Sequence, residues 1–132
     1  IAGGWQDQYA TTMGGFNFME FKTSGNLIHP VRLNADIRRE LEESLILCDT
    51  GEAHDSGNIH DNQKEKLLSD AHMIDKVKEN TLLTYEMRDC LLRGDLLGFG
   101  KKMDKAWELK RSFSQKISNT FLDSIYNGAK EN

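Results

Sequence analysis

Gly3-Gly4-Trp5-Gln6-Asp7-Gln8-Tyr9-Ala10-Thr11-Thr12-Met13-Gly14-Gly15-Phe16-Asn17-Phe18-Met19-Glu20-Phe21-Lys22 contains two changes of local structure within twenty residues. The run Gln8 to Met13 is compatible with a helix, and Gly14-Gly15 predicts its end, since glycine readily takes the backbone conformation that closes a helix. The aromatic-rich run Phe16 to Lys22 that follows is short and predicts a strand. Asp7 stands just ahead of the helical run, where backbone N–H groups and the helix dipole favour an ionised carboxylate. Gly3 and Gly4 before it predict a tight turn whose backbone can lie close to a ligand. From the residues alone two roles stay open for Asp7, an ordinary helix-capping carboxylate and a base that takes a proton from a substrate hydroxyl.

Working outward, Thr23-Ser24-Gly25-Asn26 is a turn cluster, and Leu27 to Leu33 is the expected returning strand of a β-hairpin. Pro30 lacks an N–H, which places that second strand at an edge or a bulge. Asn34 to Glu43 predicts a short helix capped by Asn34, with Ile37 and Leu41 one turn apart. It is also the expected boundary between two units, 1–43 and 44–132. Ser44 to Asp49 is a continuous apolar run of strand length and predicts a buried strand. The loop that follows, Thr50 to Asn58, is small, polar and acidic, and loops leaving a core strand commonly carry ligand contacts. There His54 offers a partner for an anion and Ser56 a hydrogen-bond donor, against the alternative of a plain surface loop.

From Asp61 to Arg93 the spacing of Leu67, Ala71, Ile74, Val77, Leu82, Tyr85 and Leu91 predicts helix with these residues on its buried side. Gly94 ends that run, and Asp95 caps a further helix with Phe99, Met103, Ala106 and Trp107 on its inner face. Asn119-Thr120 caps a last helix. Lys110 and Arg111 are cationic candidates for a phosphate, or members of a solvated charged face. His54, Asp55, His60, Asp61 and His72 do not show metal-ligand spacing, and no zinc site is expected.

The chain has 132 residues, 38% of them hydrophobic, enough for one modest core. A net charge of −4 with no basic tract gives nucleic acid nothing to hold. No apolar run reaches membrane-span length, and no signal peptide pattern is present. Cys48 and Cys90, placed on the expected buried strand and on a helix, are expected to be isolated thiols, consistent with a reducing cytoplasm. The chain opens without Met, inside a motif, and is expected to be a piece of a longer polypeptide.

Gly-Gly-Trp-Gln-Asp-Gln at 3–8 resembles the catalytic-aspartate segment of sugar kinases in the GHMP superfamily. With Tyr9-Ala10, Gly14 to Phe21, Leu45 to Gly51, Asp55-Ser56-Gly57 and Ala106 to Ser112, the sequence is similar to the bacterial heptose kinases across nearly its whole length. Trp5 departs from the lysine of many heptose kinases and resembles the L-fucokinase branch; His54 stands where heptose kinases often carry arginine. The resemblance implies an α+β fold made of the β-hairpin end of a kinase N-terminal lobe and the strand-and-helices start of a ferredoxin-like C-terminal lobe. It implies ATP-dependent phosphorylation of a sugar hydroxyl, foremost the anomeric hydroxyl of D-glycero-D-manno-heptose 7-phosphate. Asp7 would be the base and Gly4, Gln8, His54 and Ser56 the substrate-binding residues. ATP and Mg²⁺ are the implied cofactors, yet the family's glycine/serine phosphate loop has no match between Ile1 and Asn132, so these residues alone are expected to be inactive. An L-fucokinase or galactokinase-like kinase, a non-catalytic interaction module and a sugar-binding module are the alternatives. Neither the sugar nor the oligomeric state is legible.

Overall fold

The computed structural model describes residues 4–51, 71–113 and 117–131. Its elements are α1 (Gln6–Met13), β1 (Asn17–Lys22), β2 (Gly25–Pro30), α2 (Ala35–Ser44), α3 (Ala71–Arg93), α4 (Leu96–Phe113) and α5 (Thr120–Glu131). The fold is α+β, an antiparallel hairpin with five helices among the described residues.

α1 stops where the glycines predict. Gly14 takes φ +62° and its N–H closes on the Ala10 carbonyl at 2.9 Å. The hairpin turn is tighter than expected. Thr23-Ser24 alone forms the loop, and β2 starts at Gly25, which pairs with Lys22, while Pro30 at the far end pairs with Asn17. Side chains alternate across a strand, so Phe18, Glu20 and Lys22 share one face and Asn17, Met19 and Phe21 the other. The first face meets α3 and the second meets α1. Phe18 and Tyr85 rings lie 5.0 Å apart, and Phe21 and Tyr9 rings 5.8 Å. Asn26, opposite Phe21, donates to the Tyr9 hydroxyl at 3.1 Å.

The expected helix caps are present. Asn34 Oδ1 accepts from the Asp36 N–H at 3.0 Å, Asp95 Oδ1 from Gly98 at 2.8 Å, and Asn119 Oδ1 from Leu122 at 2.8 Å. Gly94, at φ +76°, lets α3 turn back into α4, and the side chain of Ile37 from α2 fills the space a Cβ would enter. α3 and α4 then run side by side, tied across their seam by Lys102–Glu86 at 2.6 Å and Lys105–Glu79 at 2.8 Å. α5 is held to α4 by the Trp107–Tyr126 ring contact, by the Tyr126 hydroxyl donating to Asp104, and by Lys130 on Asp104 at 2.9 Å.

Three expectations are corrected. The buried line of α3 is Met73, Leu83 and Cys90, whereas Ile74, Val77 and Leu82 are exposed. α3 carries apolar residues on more than one side, and packing selects among them in a way that spacing does not reveal. The run Leu45 to Asp49 is not a strand. Ile46 and Leu47 are 92% and 98% exposed, and a strand needs a partner that the described residues do not supply. Cys48 is therefore exposed, while Cys90 is buried, and both are free thiols. Among the described residues no helix is long and apolar enough to cross a membrane.

One polar cluster locks the hairpin to α3. The Tyr85 hydroxyl donates to Glu20 Oε1 at 2.5 Å, and Lys22 Nζ and His29 Nε2 each reach the same carboxylate at 2.9 Å. The Tyr85 hydroxyl, then Lys22 and His29, hold the Glu20 carboxyl at about 2, down from an ordinary 4.5. A value lowered on folding means the stabilisation is complete above pH 4.5 and is lost as pH falls toward about 2. Urea midpoints taken between neutral pH and pH 3 should fall more steeply for the natural chain than for Glu20→Gln. Parallel curves would show that the cluster does not carry this pH dependence.

Candidate functional site

α1 brings Asp7 to the position its sequence suggests, the first turn of a helix, with Trp5 as the residue ahead of the helix. Trp5 offers no side-chain cap, so the first N–H groups of α1 keep their pull on a nearby negative charge. The Asp7 side chain is exposed, and it makes no hydrogen bond or ion pair among the described residues. Its carboxylate is thus committed to nothing else in this part of the protein.

The neighbours of Asp7 behave differently from one another. The Gln8 amide nitrogen, turned as its surroundings require, donates to the Trp5 and Gly4 carbonyls at 3.1 and 3.2 Å. Gln8 therefore steadies the entry turn, and its amide is already engaged. Gly4 does not take a positive φ; what fills the space beside it is the Gln6 amide, at the flexible end of a side chain. Thr11 and Thr12 turn their hydroxyls back onto the Asp7 and Gln8 carbonyls at 2.8 and 2.7 Å. Such back-bonding leaves the outer surface of α1 without free hydroxyls at those positions. His54 and Ser56 lie outside the described residues, as do Asp55, His60 and Asp61.

A second feature was not expected from the sequence. A cleft of about 490 Å³ opens between the start of the hairpin and the paired helices α3 and α4. Phe16 and Phe18 form one wall; Thr84, Met87 and Arg88 of α3 and Met103, Trp107 and Lys110 of α4 form the others. The volume is that of a small-molecule site, and the lining is mainly apolar. Asp7 is not among its lining residues.

The polar groups of this cleft differ in freedom. The Arg88 guanidinium lies 4.8 Å from the Phe18 ring centre and 5.3 Å from that of Tyr85, and donates to Asp89 Oδ1 at 2.7 and 2.9 Å. It is held as a spacer by its rings and its carboxylate. Lys110 has no ion-pair partner among the described residues, whereas its neighbour Arg111 bonds Glu108 at 3.3 Å and Asp123 at 3.2 Å. Of the two cations that the sequence offered for an anion, the structure leaves Lys110 uncommitted and spends Arg111 on joining α4 to α5. The Trp107 Nε1–H is buried with no acceptor. An orphaned donor of this kind is costly, and it marks the wall where a polar atom of an incoming group would be welcome.

Sequence reasoning missed Glu20 and Tyr85, which join the hairpin to α3 across sixty-five positions. The available signal was a single carboxylate amid an aromatic strand and a tyrosine on a helix stripe. Neither says which partner the other will find.

No protein-family model matches the chain. It is 34% identical over 135 aligned residues to the D-glycero-alpha-D-manno-heptose 7-phosphate kinase of Campylobacter jejuni subsp. jejuni serotype O:2. The match takes in the whole of this chain and 39% of that enzyme, so the chain spans well under half the length of the curated relative it matches.

Proposed function

We propose that the chain is part of an ATP-dependent sugar kinase of the GHMP superfamily, with the anomeric hydroxyl of D-glycero-D-manno-heptose 7-phosphate as acceptor. The observation that carries this reading is the end-to-end identity with a heptose 7-phosphate kinase, which includes the segment around Asp7. The first-turn placement of Asp7 and its unpaired carboxylate support a role as base.

In the proposed step the sugar oxygen bonds to the γ-phosphorus as the bond to the leaving ADP oxygen breaks. The hydroxyl proton passes to the Asp7 carboxylate. A general base of this kind contributes a factor of about 10²–10⁴; in-line positioning and charge stabilisation supply most of the remainder. Among the described residues no cluster of His, Cys, Asp and Glu side chains is set to hold a metal ion, so no step is assigned here to Mg²⁺. Nucleotide binding is assigned to residues outside this chain, because the phosphate-loop motif has no match within it.

The test is a substrate panel. A polypeptide that joins this chain to its nucleotide-binding parts should consume ATP with heptose 7-phosphate, and by about a hundredfold or more in kcat/KM over L-fucose and galactose. The 132-residue chain alone should not turn over. A preference for L-fucose would move the assignment to that branch, and turnover by the isolated chain would remove the claim that the phosphate loop lies elsewhere.

A further inference from the structure

Between α2 and Gly51 the backbone presents Leu45, Ile46, Leu47 and Cys48 to solvent, the first three 59%, 92% and 98% exposed. Leu45 is already extended, at φ −93° and ψ 131°. No backbone hydrogen bond ties Ile46, Leu47 or Cys48 to another element among the described residues. Four uncharged residues with open N–H and C=O groups, and neither lysine nor proline within them, form an edge without the usual guards against strand pairing. If extended, Leu45 and Leu47 point one way and Ile46 and Cys48 the other, so the segment is apolar on both sides.

The flanks say what kind of strand fits. Glu42 and Glu43 precede the segment and Asp49 follows it. Glu43 makes no ion pair among the described residues, and Asp49 accepts only the Gly51 N–H, at 2.9 Å. A second copy paired antiparallel would set Glu43 of one chain near Asp49 of the other; paired in parallel, it would set Glu43 against Glu43. Like charges directly opposed disfavour both arrangements. We propose that Leu45–Cys48 is a docking edge for an extended apolar peptide strand that carries lysine or arginine at its two ends. Main-chain bonds would give the affinity, and the acidic flanks would select the partner.

Hydrogen exchange on the 132-residue chain tests this with two synthetic decapeptides that share an apolar β-branched centre. One has lysines at both ends, the other glutamates. The lysine-ended peptide should slow two amides spaced two residues apart within 45–48 by about tenfold or more. Leu47→Asp should abolish that slowing while leaving the helical circular dichroism unchanged, because the side chain is almost wholly exposed. No slowing, or equal slowing with the glutamate-ended peptide, overturns the proposal. Slowing without peptide as the chain concentration rises also overturns it, and makes a second copy the occupant.

Discussion

Phe18→Ala is expected to cost about 3–5 kcal/mol, a large share of the roughly 5–15 kcal/mol that holds a domain of this kind together. Phe18 is 7% exposed and sits where the hairpin meets α3. Its ring contacts Tyr85, lies 6.1 Å from the His29 ring and receives the Arg88 guanidinium on its face. Truncation therefore removes transfer energy and leaves a void, and it also withdraws the surface that orients Arg88. Phe21→Ala is the matched control: the same chemical change at a position 45% exposed, against Tyr9 on the opposite face. Its cost should be about 1 kcal/mol, as for other partly exposed sites. Urea titration of the two variants, with an unchanged slope against denaturant, reads the difference directly. Equal shifts would mean that the core is not centred on the contact between hairpin and α3.

The features legible in the sequence are those set by neighbours along the chain. Asn34, Asp95 and Asn119 cap helices because a short polar side chain can reach an N–H two or three residues on. Gly14 and Gly94 end helices because their own backbones tolerate a positive φ. The hairpin was legible too, although its turn took only two residues, and β2 therefore begins earlier than the apolar pattern suggests.

What was not legible depends on distant partners. Apolar residues on several sides of α3 permit more than one buried face, and only packing places Met73, Leu83 and Cys90 inward. Leu45 to Asp49 has the composition of a buried strand, but burial requires a partner strand. Without one among the described residues, the composition appears as exposed leucine and isoleucine. For the candidate site, the first-turn position of Asp7 followed from the glycines and the helical run around it. The contrast between Lys110 and Arg111 did not, because it depends on Asp123 lying across from α4.

The other large effect concerns Asp7 itself. Asn keeps the size of the side chain and one oxygen acceptor but cannot take up the hydroxyl proton. Because Asp7 is exposed and engages no other side chain among the described residues, Asp7→Asn should leave the unfolding midpoint unchanged. The loss should fall on the chemical step. The decisive measurement is steady-state phosphorylation of heptose 7-phosphate by natural and Asp7→Asn forms of a polypeptide that supplies the phosphate loop as well as this chain. A kcat lowered about 10²–10⁴-fold with KM little changed is the predicted result; a kcat within about twofold of the natural form would contradict the assignment of Asp7 as the base.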